Sequence, residues 1–99
     1  MPYQIIFSRI AETHLQGLTA SDRRIVIEEI VQQLTDQAAI ATRNRKPMRP
    51  NPLASWELRV GNLRVYYDIE DEPEPLVEII AVGVKERDRV RIGNKVVEL

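Results

Sequence analysis

No cysteine occurs anywhere in the 99 residues. That excludes a disulfide framework and a thiolate zinc site, and leaves nothing that needs an oxidising compartment. Histidine is almost as scarce. His14 stands alone, so the chain cannot assemble a histidine-based metal centre, and neither metal nor cofactor is expected. Long apolar runs are also missing: none approaches the ~20 residues that span a bilayer. The opening MPYQIIFSRI lacks the basic start and small-residue cleavage site of a signal peptide. A cytoplasmic location without a membrane partner is the expectation. Net charge is only −1, which by itself gives no sign of a polyanion-binding surface.

What is present changes that picture. Apolar residues make up 43% of the chain, enough for one compact domain over residues 1–99 that buries about two-thirds of its unfolded surface. The charges are segregated along it. Arg43, Arg45, Lys46 and Arg49 lie together without a carboxylate among them, whereas residues 68–78 carry Asp68, Glu70, Asp71, Glu72, Glu74 and Glu78 without one basic group. A basic block beside an acidic one can make a bipolar surface, one side of which attracts a polyanion.

The organising stretch is WELRVGNLRVYYDI, residues 56–69. Its side chains alternate in character on both sides of Gly61-Asn62, and glycine supplies the positive φ that a type II′ turn requires at its first central position. A two-residue hairpin follows, with Val60 opposite Leu63, Arg59 opposite Arg64, Leu58 opposite Val65, Glu57 opposite Tyr66 and Trp56 opposite Tyr67. One face is apolar. The other carries Glu57, Arg59, Arg64, Tyr66 and Asp68, and is expected to be exposed. Two guanidinium groups directly across from one another repel in a bare sheet, and an anion between them would offset that cost.

Around the hairpin, residues 3–7 read as a short buried strand, with Ser8 as the N-cap of a helix from Arg9 to about Gly17. Ile10, Ala11, Leu15 and Leu18 should point inward from it. A second helix is marked by Ile27, Ile30, Val31 and Leu34 at helical spacing, with Ala38 to Ala41 as a possible extension. Residues 42–55 contain Pro47, Pro50 and Pro52 and are expected to be an electropositive loop. LVEIIAVGV, residues 76–84, is the central strand, and a turn with a short terminal strand ends the chain. The class is α+β, in the order β-α-α-β-β-β(-β), with two helices on one face of an antiparallel sheet.

With that order, the segments RKPMRPNPLASWELRVGNLRVYYDI and IIAVGVKERDRV resemble the RelE/ParE superfamily of toxins from type II toxin–antitoxin modules. The resemblance spans essentially the whole chain. It implies a RelE-like endoribonuclease that cuts mRNA on the ribosome without a metal, leaving a 2′,3′-cyclic phosphate and a 5′-hydroxyl, and that is held inactive by an antitoxin. Carried onto this sequence, it makes Arg59 and Arg64 a phosphate clamp and Lys85 a transition-state stabiliser or proton donor, with Arg87 second. Glu57 stands where the family has a lysine, as base or as neutraliser of Arg64. Arg91 stands where a tyrosine would stack on a base, which leaves stacking to Tyr66. Arg43, Arg45, Lys46, Arg49, Arg87 and Arg91 would contact RNA. Two other readings stay open: a ParE-like toxin that poisons DNA gyrase by contact, and an inactive relative that only binds its antitoxin.

Overall fold

The computed structural model describes residues 2–97. They form β1 (Gln4–Phe7), α1 (Arg9–Gln16), α2 (Ala20–Leu34), β2 (Arg45–Pro47), β3 (Trp56–Val60), β4 (Leu63–Glu70), β5 (Leu76–Glu86), β6 (Arg89–Ile92) and β7 (Lys95–Val97). The strands make one sheet in the order β2-β3-β4-β5-β6-β7. It is antiparallel except for β1, which runs parallel to the first part of β5. This is the expected α+β architecture. Its last residues, Glu98 and Leu99, lie outside those described.

The hairpin has the register that alternation and turn chemistry predict, from Trp56 opposite Tyr67 to Val60 opposite Leu63. Gly61 has φ 59° and Asn62 a negative φ, as a type II′ turn requires. Trp56 and Tyr67 stack on the apolar face with ring centroids 6.0 Å apart. Serine 8 caps α1 as its position suggests, accepting from the Ala11 N–H at 3.0 Å, and Thr19 caps α2 through the Asp22 N–H at 3.1 Å.

The helices bury most of the expected residues, Ala11, Leu15, Ile30 and Leu34, but the buried stripe of α2 is completed by Val26 rather than by Ile27 and Val31. Val26, Ile30 and Leu34 of α2 are fully buried with Ala11 and Leu15 of α1, against Leu58, Val65, Tyr67, Val77 and Ile79 of the sheet. Ile27 and Val31 are exposed, and Ile10 is 64% exposed. A run of apolar residues at 25–27 and 30–31 fits two adjacent helical stripes equally well, and packing onto the sheet selects one of them. Beyond Leu34 the chain turns rather than continuing the helix. Ala38 is buried there, and its carbonyl accepts the Tyr67 hydroxyl at 2.8 Å.

Residues 42–55 are not wholly loop. Arg45–Pro47 adds an edge strand to β3, with Arg45 opposite Leu58 and Lys46 opposite Glu57. Proline is tolerated on such an edge because its missing N–H faces outward. The rest of the segment folds back over the sheet's second face. Ala54, Tyr66, Ala81 and Val90 form a small second core there, flanked by Met48, Leu53, Ile80 and Ile92.

β5 is shared along one edge by two strands, β1 on residues 76–79 and β6 on residues 83–86. Its pairing with β4 shifts by one residue between them, leaving Ile80 as the bulged residue. Helix α1 bridges the gap. The Ser8 N–H donates to the Ile79 carbonyl at 2.9 Å, its hydroxyl donates to the Ile80 carbonyl at 2.9 Å, and the Val82 N–H donates to His14 Nδ1 at 3.2 Å.

His14 is thus a structural acceptor, and burial lowers its pKa from the usual value. The fold favours the neutral ring. Its contribution is therefore complete above the unfolded pKa of ~6.5 and is lost as pH falls through the lower folded value. We expect His14→Asn, whose amide oxygen can replace Nδ1, to remove that part of the acid sensitivity. The check is the urea midpoint of wild type and variant at pH 8 and pH 5.5. Parallel losses in the two proteins would contradict the assignment.

Candidate functional site

Because side chains alternate across a strand, the residues facing away from the helices share one surface of the sheet. From β2 this surface takes Lys46, from β3 Glu57 and Arg59, from β4 Arg64, and from β5 Lys85. All of them line one cleft of about 700 Å³. Pro47 to Pro52 form one wall, and Val90 of β6 and Val97 of β7 the other, with Asp88 from the β5–β6 turn at its margin. Among the expected residues, Glu57, Arg59, Arg64, Lys85, Lys46 and Arg49 are brought together here.

The floor is more closely held than an exposed hairpin face would be. Glu57 and Arg64 are each only 8% exposed. Arg59 Nε donates to Glu57 Oε1 at 3.3 Å, and Arg64 Nη1 donates to the carbonyls of Gly61 and Leu63 at 2.8 and 2.9 Å. Arg64 is thereby tied to the hairpin end. Glu57 on one guanidinium and backbone carbonyls on the other offset part of the repulsion in this pairing.

Opposite Arg64 stands Gly83. A Cβ at Gly83 would come within 2.7 Å of Val90 Cγ1 and 2.9 Å of the Arg91 carbonyl oxygen, so only glycine lets β6 cross here. This close approach holds the β6 wall against the floor. Lys85 follows two residues later, its N–H bonded to the Asn62 carbonyl at 2.7 Å. The lysine is therefore anchored beside the hairpin turn with its side chain in the cleft.

Five expected contacts lie elsewhere. Arg45 is buried on the helix side, 4% exposed. Its guanidinium donates to the Ile40 and Gln33 carbonyls at 3.1 and 3.4 Å and to the side-chain oxygens of Gln33 and Gln37. It closes the C-terminal end of α2 instead of meeting RNA, because one step of strand alternation separates it from Lys46. Tyr66 is completely buried beneath the loop, so its ring cannot stack on a base. Arg91 opposes Val84 on the sheet's helix-side face and pairs with Glu86 at 3.0 Å. Arg87 and Arg43 are exposed and do not line the cleft.

Tyr66 retains one chemical link to the site. Its hydroxyl is buried with no hydrogen bond of ordinary geometry. Burial, and then the neighbouring Glu57 carboxylate, push its pKa far above the usual phenol range. At neutral pH it is a proton-bearing neighbour for Glu57, never a base. Asp88 is the lining residue that sequence reasoning passed over. Its signal was its place in a two-residue connection between alternating segments, which brings it back toward Lys85.

Among the described residues no group of three or more His, Asp or Glu side chains is placed to hold a metal ion. No described helix is long and apolar enough to cross a membrane.

Comparison with known proteins joins this geometry to a family. No curated protein matches the chain. Among solved structures, the toxin–antitoxin complex RelBE2 from Mycobacterium tuberculosis contains a chain with 27% identity and a TM-score of 0.74, over 86% of this chain and 100% of that one. Residues 5–89 match the family described as the ParE toxin of type II toxin–antitoxin systems, parDE, which takes in every floor residue of the cleft. The chain therefore belongs to the ParE toxin family of type II toxin–antitoxin systems, within the RelE/ParE superfamily.

Proposed function

We propose that this toxin is a ribosome-dependent endoribonuclease that cleaves mRNA, blocks translation and acts in the cytoplasm. The observation that carries the reading is the gathering of Lys46, Arg49, Arg59, Arg64 and Lys85 around the Glu57 carboxylate in a single cleft, with Asp88 at its margin. Cleavage by the 2′-hydroxyl needs a base for that proton, cations for the charge on the pentavalent phosphorus, and an acid for the departing 5′-oxygen. Glu57 takes the proton. Arg59, beside it, and Lys85, across the floor, flank the phosphate, and Lys85 donates to the leaving oxygen. Arg64 supplies positive field from its fixed place at the hairpin end. The products are a 2′,3′-cyclic phosphate and a 5′-hydroxyl, and the cleft's own cations do the work assigned elsewhere to metals.

A cognate antitoxin is the expected partner, since the RelBE2 structure is a toxin–antitoxin complex. Ile27 and Val31 offer it an exposed apolar flank on α2.

One observation favours a second reading. Glu57 is paired with Arg59 and Arg64 is spent on carbonyls, an arrangement that suits a toxin acting by contact, as in gyrase poisoning. A cell-free comparison separates the two. The nuclease is expected to stop translation and leave truncated mRNA ending in cyclic phosphate while DNA supercoiling by gyrase proceeds. Lost supercoiling with intact mRNA would establish the contact toxin. No effect on either would leave an antitoxin-binding relative.

A further inference from the structure

Asp88 is an anomaly in a cleft built to receive a polyanion. It is exposed, lines the same cavity as the five cations, and makes no hydrogen bond or ion pair among the described residues. A carboxylate beside the path of a phosphate backbone repels it, and replacement by a neutral side chain would strengthen binding if charge were all that mattered. Turn formation does not explain the placement either, since asparagine or glycine would close this turn without the charge.

The turn also holds the carboxylate in place. Glu86 and Arg89 pair across the β5–β6 hairpin, leaving only Arg87 and Asp88 in the connection. Arg87 has φ 63°, the left-handed region that favours glycine. A two-residue connection between paired strands has little freedom, so Asp88 is presented from a stiff tip rather than a mobile loop. Across the cleft, Lys46 and Arg49 on the opposite wall are free to take the backbone, with the cations of the floor between.

We infer that Asp88 is a base-reading residue, which selects guanine next to the scissile phosphate through its Watson–Crick edge. This deepens the nuclease reading and rests on it. An ionised carboxylate only accepts hydrogen bonds. Adenine and cytosine each offer it one exocyclic amine, and uracil offers one ring N–H. Guanine alone presents two adjacent donors, N1–H and the N2 amine, which match the two oxygens of one carboxylate. Single-stranded RNA leaves that edge available, and a protein reads it by hydrogen bonds of this kind. The repulsion that Asp88 exerts on the backbone then becomes part of the selection, because only a base that satisfies both oxygens offsets it.

The test uses ribosome-bound mRNAs that differ at the nucleotide beside the cut, with guanine, adenine or inosine there. Inosine keeps N1–H and lacks the N2 amine. Wild type is expected to cleave the guanine message with kcat/KM on the order of ten-fold or more above the inosine and adenine messages. In Asp88→Asn, whose side chain retains the turn but presents one acceptor only, the three messages should converge to within about twofold, with the adenine message cut no more slowly than by wild type. Equal cleavage of guanine and inosine messages by wild type would overturn the assignment, as would an unchanged preference in Asp88→Asn. Wild type that cleaves none of the three overturns the nuclease reading itself, and this proposal with it, an outcome distinct from cleavage without preference.

Discussion

Glu57→Gln is expected to lower the single-turnover rate of mRNA cleavage by roughly 10²- to 10⁴-fold, the usual worth of a positioned proton acceptor, with ribosome affinity unchanged. The substitution is close to isosteric. Its amide oxygen can still accept from Arg59 Nε, which now lies 3.3 Å from Oε1, so the floor of the cleft should keep its shape. What it removes is a group able to take a proton. If Glu57 served only to neutralise Arg59, the amide would leave an unbalanced guanidinium beside the phosphate. The rate would then hold or rise, and RNA affinity would increase. A single-turnover rate equal to that of wild type would therefore exclude the base role. Tyr66 adds a control: Tyr66→Phe removes the phenol next to Glu57 without opening the second core, and separates an effect on the carboxylate from one on packing.

Arg45→Met should give the largest loss of stability among the basic residues, about 2–4 kcal/mol, read as a fall in the urea midpoint at constant slope. Methionine fills much of the volume but donates nothing. The carbonyls of Gln33 and Ile40 would lose their partner at the closing end of α2, where a cation also complements the helix dipole. Gln33 and Gln37 can turn their amides toward solvent, which keeps the cost below that of stranding a fully buried network. Arg45→Lys should recover only part of the loss, because one ammonium cannot span acceptors in three directions. Cleavage per folded molecule should be unaffected by either change. An equally stable Arg45→Met protein with weakened RNA binding would mean that this side chain faces the cleft after all.

The contrast between Arg45 and its neighbour Lys46 shows how far local reading reaches. Both belong to one basic cluster, and composition treats them alike. Their opposite fates follow from Arg45 pairing with Leu58 and Lys46 with Glu57, and the register of an edge strand is chosen by the strand it joins. Helix α2 presents the same problem. Its apolar residues fit two neighbouring stripes, and the choice of Val26, Ile30 and Leu34 was made by the sheet beneath. Tyr66 was assigned to the correct face of β4, yet that face is covered by residues that follow β2, and nothing in the alternation of β4 announces the cover.

From the order of residues alone came the hairpin, its register, and the presence of Glu57, Arg59 and Arg64 on one side of it, because a Gly-Asn turn and a period of two are local properties of the chain. The α+β class followed in the same way from the succession of periodicities. Only the folded molecule decided which cations line the cleft and which are structural, that Asp88 reaches the cleft holding Lys85 from the turn after β5, and that His14 closes a gap in β5. Those outcomes depend on pairings between segments far apart in sequence, whose energies are set by the partner each segment meets.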